Sequence, residues 1–231
     1  MTVVAFCSDI HSNLEALEAF IAATHHCAAR YCCGDVVGYG DRPNEVCEML
    51  RRLRVPCVAG NHDWMVLGRI GGTQEREGIY RTQWTASVLS PDNREWLASL
   101  PERREATVGA QRVVLRHASP WDMTTYLVPA SEQLARAMPI DGSTLVVGHS
   151  HRAFVHRGSL GGIVNCGSIG LPRSGAPGAH FAELSTGTGD WSLRVAPYDV
   201  RALQERLCSL GWDAGVIDRL GAPDRPASGR R

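Results

Sequence analysis

Acidic, imidazole and amide side chains follow the apolar runs in the first third of the chain, where turn residues alone would be expected. These side chains are Asp9, His11, Asp35, Asn61, His62 and Asp63. Carboxylate and amide oxygens combined with imidazole nitrogens, and without thiolate, suit Mn²⁺, Fe or Zn²⁺ in a reactive site better than a structural zinc site, which would favour cysteine. The residue types therefore predict metal-assisted chemistry.

The second half of the chain repeats this pattern with histidines. His117 ends one apolar run, and His149 and His151 follow another, at a spacing that can place both imidazoles on one side of an extended segment. The complete set contains too many ligands for one tetrahedral ion. Two ions about 3.5–4 Å apart that share a carboxylate would use them, and could clamp a phosphoryl oxygen and hold a bridging hydroxide for in-line attack.

The four remaining histidines do not end apolar strands. They are predicted to be structural or surface residues, and they are His25, His26, His156 and His180.

Strands and helices alternate in the part of the chain that must position the first group. Apolar runs predict strands at 2–7, 29–33 and 55–60, and helical spacing predicts helices at 13–24 and 43–53. This order predicts a parallel sheet with helices on its faces. Because the carboxyl ends of neighbouring parallel strands face one crevice, the polar residues should meet there.

The rest of the chain is rich in short strands. Residues 73–100 are predicted to be helical, and a helix is predicted at 131–138. Strands are predicted at 105–109, 112–117, 144–149, 153–158, 161–167, 180–185 and 191–198. A last helix at 200–212 completes a single domain spanning 1–212, and residues 213–231 are predicted to form a polar C-terminal tail.

Composition limits the remaining function classes. The 231 residues carry 24 basic and 24 acidic side chains, and all the basic ones are arginine, so no global field attracts nucleic acid. No signal peptide and no membrane span are found, which predicts a cytoplasmic protein. The eight cysteines form no pair of C-x-x-C units and are predicted to be reduced, buried thiols. The adjacent Cys32 and Cys33 have no role that the sequence assigns.

Six short motifs in a fixed order resemble a known family. The segments SDIHSN, GDVVGYG, AGNHD, HASP, GHSH and NCGSIGLPR resemble the motifs of the calcineurin-like metallophosphoesterases, and in particular the small YfcE-like phosphodiesterases of bacteria and archaea. The resemblance covers about residues 2–195. It implies an α/β fold, a four-layer αββα sandwich of two mixed β-sheets, which agrees with the many strands of the second half.

The resemblance also implies a role for each polar residue. Two divalent ions are expected, with Mn²⁺ as the first candidate and Fe or Zn²⁺ as alternatives. One ion would be held by Asp9, His11 and His151. The other would be held by Asn61, His117 and His149, with Asp35 bridging both. As a neutral oxygen donor, Asn61 would limit the negative charge where an anionic substrate binds.

Four further residues complete the implied site. His62 would be the general acid near the leaving oxygen and Asp63 its orienting partner, while Asn13 and Arg173 would contact the substrate. Two positions depart from the family pattern without removing a ligand. Ala118 stands where glycine is usual, and Cys166 stands where proline is usual.

The substrate is less well defined. The expected function is hydrolysis of phosphodiesters with a small phosphorylated substrate, and residues 64–100 are the best candidates for a lid over the metals. Tyr80, Trp84 and Val88 recur at i, i+4 and i+8, a spacing more typical of a core stripe. Trp121 and Tyr126 could stack on a base or aryl group, although loop packing is the commoner role.

Three alternatives remain open. A serine/threonine protein phosphatase or a dinucleoside-tetraphosphatase would share the same site. A metal-dependent nuclease is disfavoured by the balanced charge. A non-catalytic scaffold, like the retromer subunit built on this fold, lacks the catalytic histidine that is present here as His62. A homo-oligomer is also compatible with the sequence.

Overall fold

The computed structural model describes residues 2–71 and 74–221. The strands of these residues are β1 (Val3–Cys7), β2 (Ala29–Cys32), β3 (Arg104–Val108), β4 (Gln111–Leu115), β5 (Thr144–Val147), β6 (Phe154–Arg157), β7 (Gly162–Asn165), β8 (Ala179–Ser185) and β9 (Trp191–Ala196). The α-helices are α1 (Leu14–Ala23), α2 (Pro43–Arg52), α3 (Asn61–Val66), α4 (Glu77–Tyr80), α5 (Thr82–Val88), α6 (Pro91–Ala98), α7 (Glu132–Ala137), α8 (Val200–Ser209) and α9 (Ala214–Gly221).

The strands form two mixed sheets. Sheet A has the order β2-β1-β8-β9, in which β1 runs parallel to β2 and antiparallel to β8. Sheet B has the order β3-β4-β5-β7-β6, with a parallel centre and an antiparallel strand at each edge. The seven strands predicted for the second half of the chain are all present.

The two sheets pack face to face between helices. Alternate residues of β1 point to opposite sides, as the period of a strand requires. Val4 and Phe6 belong to the core between the sheets, together with Val146 of β5. Ala5 instead packs in the core shared with α1, while Leu145 packs in the core on the other face of sheet B, against α7. The predicted αββα sandwich is therefore confirmed.

The segment 55–60 is the exception among the predicted strands. It makes a single parallel bridge, between Cys57 and Cys32. Its backbone then turns elsewhere, because the Ala59 N–H donates to the Pro101 carbonyl at 2.8 Å and Gly60 leads directly into α3. The prediction of a full third parallel strand is wrong, although the segment still delivers its polar residues to the same edge.

The helical region before sheet B is broken into short pieces. Arg81 has a left-handed backbone, with φ of 57°, and separates α4 from α5. The Tyr80, Trp84 and Val88 stripe is therefore not continuous: Tyr80 and Trp84 are partly buried, and Val88 is exposed. Of the predicted helical range, residues 72 and 73 lie outside the described part of the chain.

The predicted polar tail is wrong over the length of α9. Val216 and Leu220, one helical turn apart, are buried against Leu203 and Leu207 of α8. The apolar spacing i, i+4 explains why this segment forms a packed helix rather than a solvated tail. The rest of the predicted tail, residues 222–231, lies outside the described residues.

Two observations concern the other sequence expectations. Within residues 2–71 and 74–221, no helix combines the length and the apolarity that crossing a bilayer requires. The eight cysteines are free thiols, and seven of them are buried, with Cys208 exposed.

Candidate metal centre

Four strands from both sheets end at one place. Asp9 follows β1 and Asp35 follows β2 in sheet A, while His117 follows β4 and His149 follows β5 in sheet B. All four side chains are buried. The fold therefore converts strand ends that are far apart in sequence into one polar cluster.

The cluster consists of two groups. In the first, Asp9, His11 and His151 place one donor atom each within 4.8 Å of the others, and in the second Asp35, His117 and His149 do the same. The Asn61 Oδ1 joins the second group, 2.9 Å from the His117 Nε2. This division is the one that the family resemblance implies, and the assignment of each residue as a ligand remains a prediction.

Asp35 lies between the two groups. Its Oδ2 is 3.7 Å from the His11 Nε2 of one group and 3.3 Å from the His117 Nε2 of the other. Its Oδ1 accepts a hydrogen bond of 2.8 Å from the His62 backbone N–H. One carboxylate oxygen is thus fixed by the backbone while the second faces both groups.

The backbone at the site is unusually strained. Left-handed φ values between 51° and 61° occur at Asp9, His11, Asp35, His149 and His151. Each such residue costs on the order of 1–3 kcal/mol, and strain of this kind concentrates at functional sites. The candidate ligands are therefore held in position by the fold.

Two glycines allow the close approach of these segments. A Cβ on Gly60 would lie 2.1 Å from the Asp35 Oδ1, and a Cβ on Gly148 would lie 2.3 Å from the Asp9 Oδ2. Non-bonded atoms do not approach this closely, so both positions require glycine if the carboxylates keep their places.

Backbone carbonyls fix the ring orientation of the histidines. The Nδ1 atoms of His11, His117 and His151 lie 3.3, 2.8 and 2.6 Å from the carbonyls of Val37, Cys33 and Leu171 respectively. Since a carbonyl only accepts, each Nδ1 must carry a proton, and each Nε2 is the nitrogen that faces the site and can bind an ion once it is deprotonated. His149 is reversed: its Nε2 donates to the Thr124 carbonyl at 2.9 Å and its Nδ1 is free to bind.

The facing lone pairs fit a divalent cation. The Nε2 atoms of His11 and His151 are 3.2 Å apart, and that of His151 is 3.2 Å from the Asp9 Oδ1. Burial opposes a charged Asp9, yet the neighbouring His151 keeps the pKa of this carboxyl well below its ordinary value. Lone pairs and a carboxylate that converge in this way repel each other unless a proton or a cation lies between them, and oxygen and imidazole donors suit Mn²⁺, Fe or Zn²⁺.

In the second group, a metal ion would replace a proton that His117 holds toward Asp35. Burial disfavours its charged form, but attraction and hydrogen bonding to Asp35 outweigh burial and raise the pKa of His117 to about 10. A proton is therefore held between His117 and Asp35 in the absence of another cation. Binding of a metal ion here would release that proton.

His62 belongs to neither group. Its ring lies between those of Tyr39 and Tyr80, at centroid distances of 4.8 Å each. Its Nδ1 is buried, with no hydrogen-bond partner in the described part of the chain. Burial lowers the pKa of His62 to about 4, more than Asp35 raises it.

Asp63 does not contact the ring of His62. Its Oδ1 accepts from the Val37 N–H at 3.1 Å, and its Oδ2 accepts from the Gly60 N–H at 2.8 Å. A role of Asp63 in orienting His62 therefore stays a prediction, and it would act through the backbone rather than through the ring. Asp63 instead caps α3, because its position in the first turn places the carboxylate beside unpaired backbone donors.

Asn13 also has a structural role in place of the predicted one. Its Oδ1 accepts from the Ala16 N–H at 3.0 Å and caps α1, and its Nδ2 donates to the Gly170 carbonyl at 2.9 Å and to the Tyr198 hydroxyl at 3.1 Å. Both amide protons are used, so no donor remains for a substrate. The predicted substrate contact of Asn13 is not compatible with this geometry.

Arg173 lies beside the cluster. Burial disfavours its charge, but Tyr39 and Tyr126 outweigh burial, so the pKa of Arg173 is raised. Its Nε is buried without a partner among the described residues. The Tyr126 ring packs 4.3 Å from that of His149 and is about half exposed. A contact between Arg173 and substrate stays a prediction.

Sequence reasoning missed several groups at this site. Tyr39 contacts both His11 and His62, and a sequence signal was present, because Gly38 and Gly40 flank it within the predicted motif. The backbone carbonyls that orient the histidines carry no residue signature. Trp121, which was predicted together with Tyr126, packs instead with Arg136, and its indole N–H bonds to Thr125.

Comparison with known proteins decides the family. A sequence model of the calcineurin-like phosphoesterase superfamily domain matches residues 1–189. The chain belongs to the calcineurin-like phosphoesterase superfamily. This confirms the family that the motifs predict, and the two Asp/His groups are candidate metal sites within a metal-dependent superfamily.

Relatives of this chain extend along most of its length. It is 31% identical over 226 residues to the uncharacterized protein MJ0912 of Methanocaldococcus jannaschii, covering 89% of this chain and 92% of the relative. A metallophosphoesterase from Sphaerobacter thermophilus shares its fold with a TM-score of 0.76 and 27% identity, over 95% and 98% of the two chains. The hypothetical protein PH1004 from Pyrococcus horikoshii OT3 has a TM-score of 0.86 at 20% identity, over 98% and 100%.

Proposed function

We propose that this phosphoesterase is a two-metal phosphodiesterase that hydrolyses small phosphodiesters. The observation that carries the proposal is the position of Asp35, whose Oδ2 faces His11 of one group and His117 of the other. A shared carboxylate between two sets of nitrogen and oxygen donors is the arrangement that a pair of ions requires.

Each group would hold one divalent ion, with Mn²⁺ the first candidate. Asp9, His11 and His151 would bind one, Asn61, His117 and His149 the other, and Asp35 both. When bound, the ions would polarise the phosphoryl group and lower the pKa of water, which supplies the nucleophile.

The remaining groups of the site would act on the substrate directly. The Arg173 guanidinium would pair with a phosphoryl oxygen, since its Nε is buried and unpartnered among the described residues. His62 would give a proton to the leaving oxygen from Nε2, because its Nδ1 is buried against Gly38. Since burial lowers its pKa to about 4, the ring would take up this proton only with the negative phosphoryl group beside it, which favours the charged form. The rings of Tyr39 and Tyr80 would keep the imidazole at the required angle.

The exposed face of Tyr126 favours a diester over a monoester. Tyr126 packs against the ring of His149 and about half of its surface is exposed, so it offers a flat apolar surface for the second ester group. A monoester has no second ester group to use this surface.

The test compares two substrates that have the same leaving group. Metal-free protein is reconstituted with Mn²⁺, Fe²⁺ or Zn²⁺, and kcat/KM is measured for bis(p-nitrophenyl) phosphate and for p-nitrophenyl phosphate. The proposal expects the diester to be the better substrate with at least one metal. Preference for the monoester with every metal, or no hydrolysis by protein that contains two ions, would contradict it. A phosphopeptide and a dinucleoside polyphosphate, assayed in parallel, separate the two alternative phosphatase activities.

A further inference from the structure

A second cluster of possible metal ligands lies away from the candidate metal centre. His26 and Cys27 are in the link between α1 and β2, and Glu183 is in β8. The link enters β2 at its amino end, whereas Asp35 follows the carboxyl end of the same strand. The two clusters are therefore separated by the length of β2, and they share no residue.

The three donor atoms have the spacing of one face of a zinc tetrahedron. The His26 Nε2 is 3.3 Å from the Glu183 Oε1 and 3.6 Å from the Cys27 Sγ, and the Sγ is 3.9 Å from the same oxygen. Zinc bonds of roughly 2.0–2.3 Å at tetrahedral angles place such atoms about 3.3–3.6 Å apart. The observed triangle is slightly wider on one side, so an ion would need to draw the sulfur and oxygen together by only a few tenths of an ångström.

We propose that His26, Cys27 and Glu183 form a binding site for one Zn²⁺ ion that joins the α1–β2 link to β8. Cys27 and Glu183 are separated by 156 positions along the chain, so the ion would act as a long-range crosslink. Thiolate and imidazole ligands select Zn²⁺ over Mn²⁺, which prefers oxygen. This site is independent of the proposed hydrolysis.

The surroundings leave the ligand atoms available. The Glu183 Oε2 accepts a hydrogen bond of 3.1 Å from the Arg194 Nε, which holds the carboxylate in place while Oε1 faces His26 and Cys27. A ligand carboxylate is commonly hydrogen-bonded in this way. The His26 side chain is 45% exposed, so the fourth position is open to water.

The thiol sets the pH dependence of binding. Burial, with a smaller contribution from Glu183, raises the pKa of Cys27 to about 11. A thiol binds a metal ion only after it loses its proton, so affinity should increase with pH. Two positively charged side chains near the site would repel the ion. They are Arg30, which lowers the pKa of Cys27, and Arg194, which donates a hydrogen bond to Glu183.

Co²⁺ is the probe that distinguishes this site, because a cysteine thiolate bound to Co²⁺ gives a charge-transfer band in the near ultraviolet. The candidate metal centre has only oxygen and nitrogen donors and cannot give this band. Titration of the full chain with Co²⁺ is expected to produce the band, and added Zn²⁺ is expected to remove it. Cys27→Ser should abolish the band, and His26→Gln should weaken Co²⁺ binding at least tenfold.

Two matched variants serve as controls. His25→Gln alters the neighbouring histidine and Cys208→Ser removes the exposed thiol, and both should leave the band unchanged. His26→Gln is expected to fold, since the side chain is half exposed, and far-ultraviolet circular dichroism checks this. Absence of the band in the wild type, or a band that persists in Cys27→Ser, would overturn the proposal. Loss of the band in Cys208→Ser instead would assign binding to a surface thiol and overturn it equally.

Discussion

Sheet A and sheet B contribute different chemistry to the same site. Sheet A supplies both carboxylates, Asp9 after β1 and Asp35 after β2, whereas the segments that follow the strands of sheet B supply three imidazoles. These imidazoles belong to His117, His149 and His151. Neither sheet alone provides a complete set of candidate ligands, so the candidate metal centre lies where the two sheets meet.

The carboxylates also connect the two groups of candidate ligands, and the imidazoles of sheet B do not. The Asp9 Oδ2 accepts from the His149 backbone N–H at 3.0 Å, across the two sheets, although the His149 ring belongs to the other group. Asp35 faces both groups. By contrast, each imidazole of sheet B serves one group and is fixed by its own carbonyl. Loss of Asp35 should therefore affect both ions, and loss of one of these histidines should affect one.

Asp35→Asn is expected to have the largest effect. The amide can still accept the His62 N–H, so the fold is kept, but the charge shared by both ions is lost. Metal stabilisation of the transition state is worth several kcal/mol, so kcat/KM should fall by roughly 10³-fold or more. Elemental analysis should show loss of both ions. Two bound ions and normal turnover in this variant would remove Asp35 from the bridging position.

His149→Ala and His151→Ala sharpen the comparison, because they are two positions apart and belong to different groups. Each substitution should weaken the binding of one ion. Loss of an outer hydrogen bond lowers metal affinity roughly 10–100-fold, and loss of a ligand should lower it by at least as much. About one ion per chain should remain in each variant. Loss of both ions from either variant would mean that the two groups are not independent.

His62→Ala tests the proton donor. General-acid help is worth on the order of 10²–10⁴-fold, and it matters most when the leaving oxygen is basic. The loss in kcat/KM should be small on bis(p-nitrophenyl) phosphate and large on an alkyl or nucleoside diester, with both ions retained. A missing ion together with equal losses would make His62 a ligand or a structural residue. Equal losses with both ions present would point to charge stabilisation instead.

Arg173→Met should have a smaller effect, on substrate binding. A hydrogen bond to a charged group contributes about 1.5–3 kcal/mol, so kcat/KM should fall roughly 10–100-fold without loss of metal. Arg152→Met is the matched control, since Arg152 follows His151 directly and is exposed. Similar losses in both variants would indicate a general effect of charge and would contradict a specific contact at Arg173.

The smallest expected effect is on stability, and it comes from Arg206, which supports the segment beside His11 on the side of sheet A. Arg206 of α8 donates to Asp41 at 2.8 Å and to Glu15 at 3.0 Å, and Asp41 follows Gly40, whose N–H donates to the His11 carbonyl. Arg206→Met should lower the free energy of unfolding by about 1–3 kcal/mol. The exposed Arg201 pairs only with Glu205 at 2.9 Å, and Arg201→Met should change it by less than about 0.5 kcal/mol.

The loss of unfolding free energy in Arg206→Met should depend on pH. Burial raises the pKa of Glu15, but Arg206 outweighs burial and holds it below the ordinary value of 4.5. A carboxyl with a lowered pKa in the folded state stabilises fully above its unfolded pKa, and this contribution is lost as the pH falls through the folded value. Urea unfolding should therefore show the deficit of Arg206→Met at neutral pH and a smaller deficit below about pH 4.5. A deficit that does not change with pH would exclude the Glu15 pair as its source.

Much of the site could be predicted because ligands at strand ends leave a sequence pattern. Asp9, Asp35 and His117 each follow an apolar run, and a parallel sheet brings such ends together. The strand-end pattern alone assigns no role to Asn13 and Asp63, because a residue after a strand is also the residue that begins a helix. Both side chains cap backbone N–H groups, which the pattern does not distinguish from ligand binding.

Other features had no side-chain signature. The carbonyls of Thr124 and Leu171 decide which nitrogen of His149 and His151 faces the site, and any residue could supply them. The apolar run at 55–60 has the composition of a strand, but it pairs with only one residue of β2, Cys32, and the Ala59 N–H donates to Pro101 instead. Long-range backbone pairing of this kind depends on the whole fold.

The most direct test of the central claim is the position of the ions. Crystals grown with Mn²⁺ and measured for anomalous scattering should show two peaks about 3.5–4 Å apart, on either side of the Asp35 Oδ2. One peak should lie among Asp9, His11 and His151, and the other among Asn61, His117 and His149. A single peak at full occupancy, or two peaks of which only one is bound to Asp35, would contradict the account.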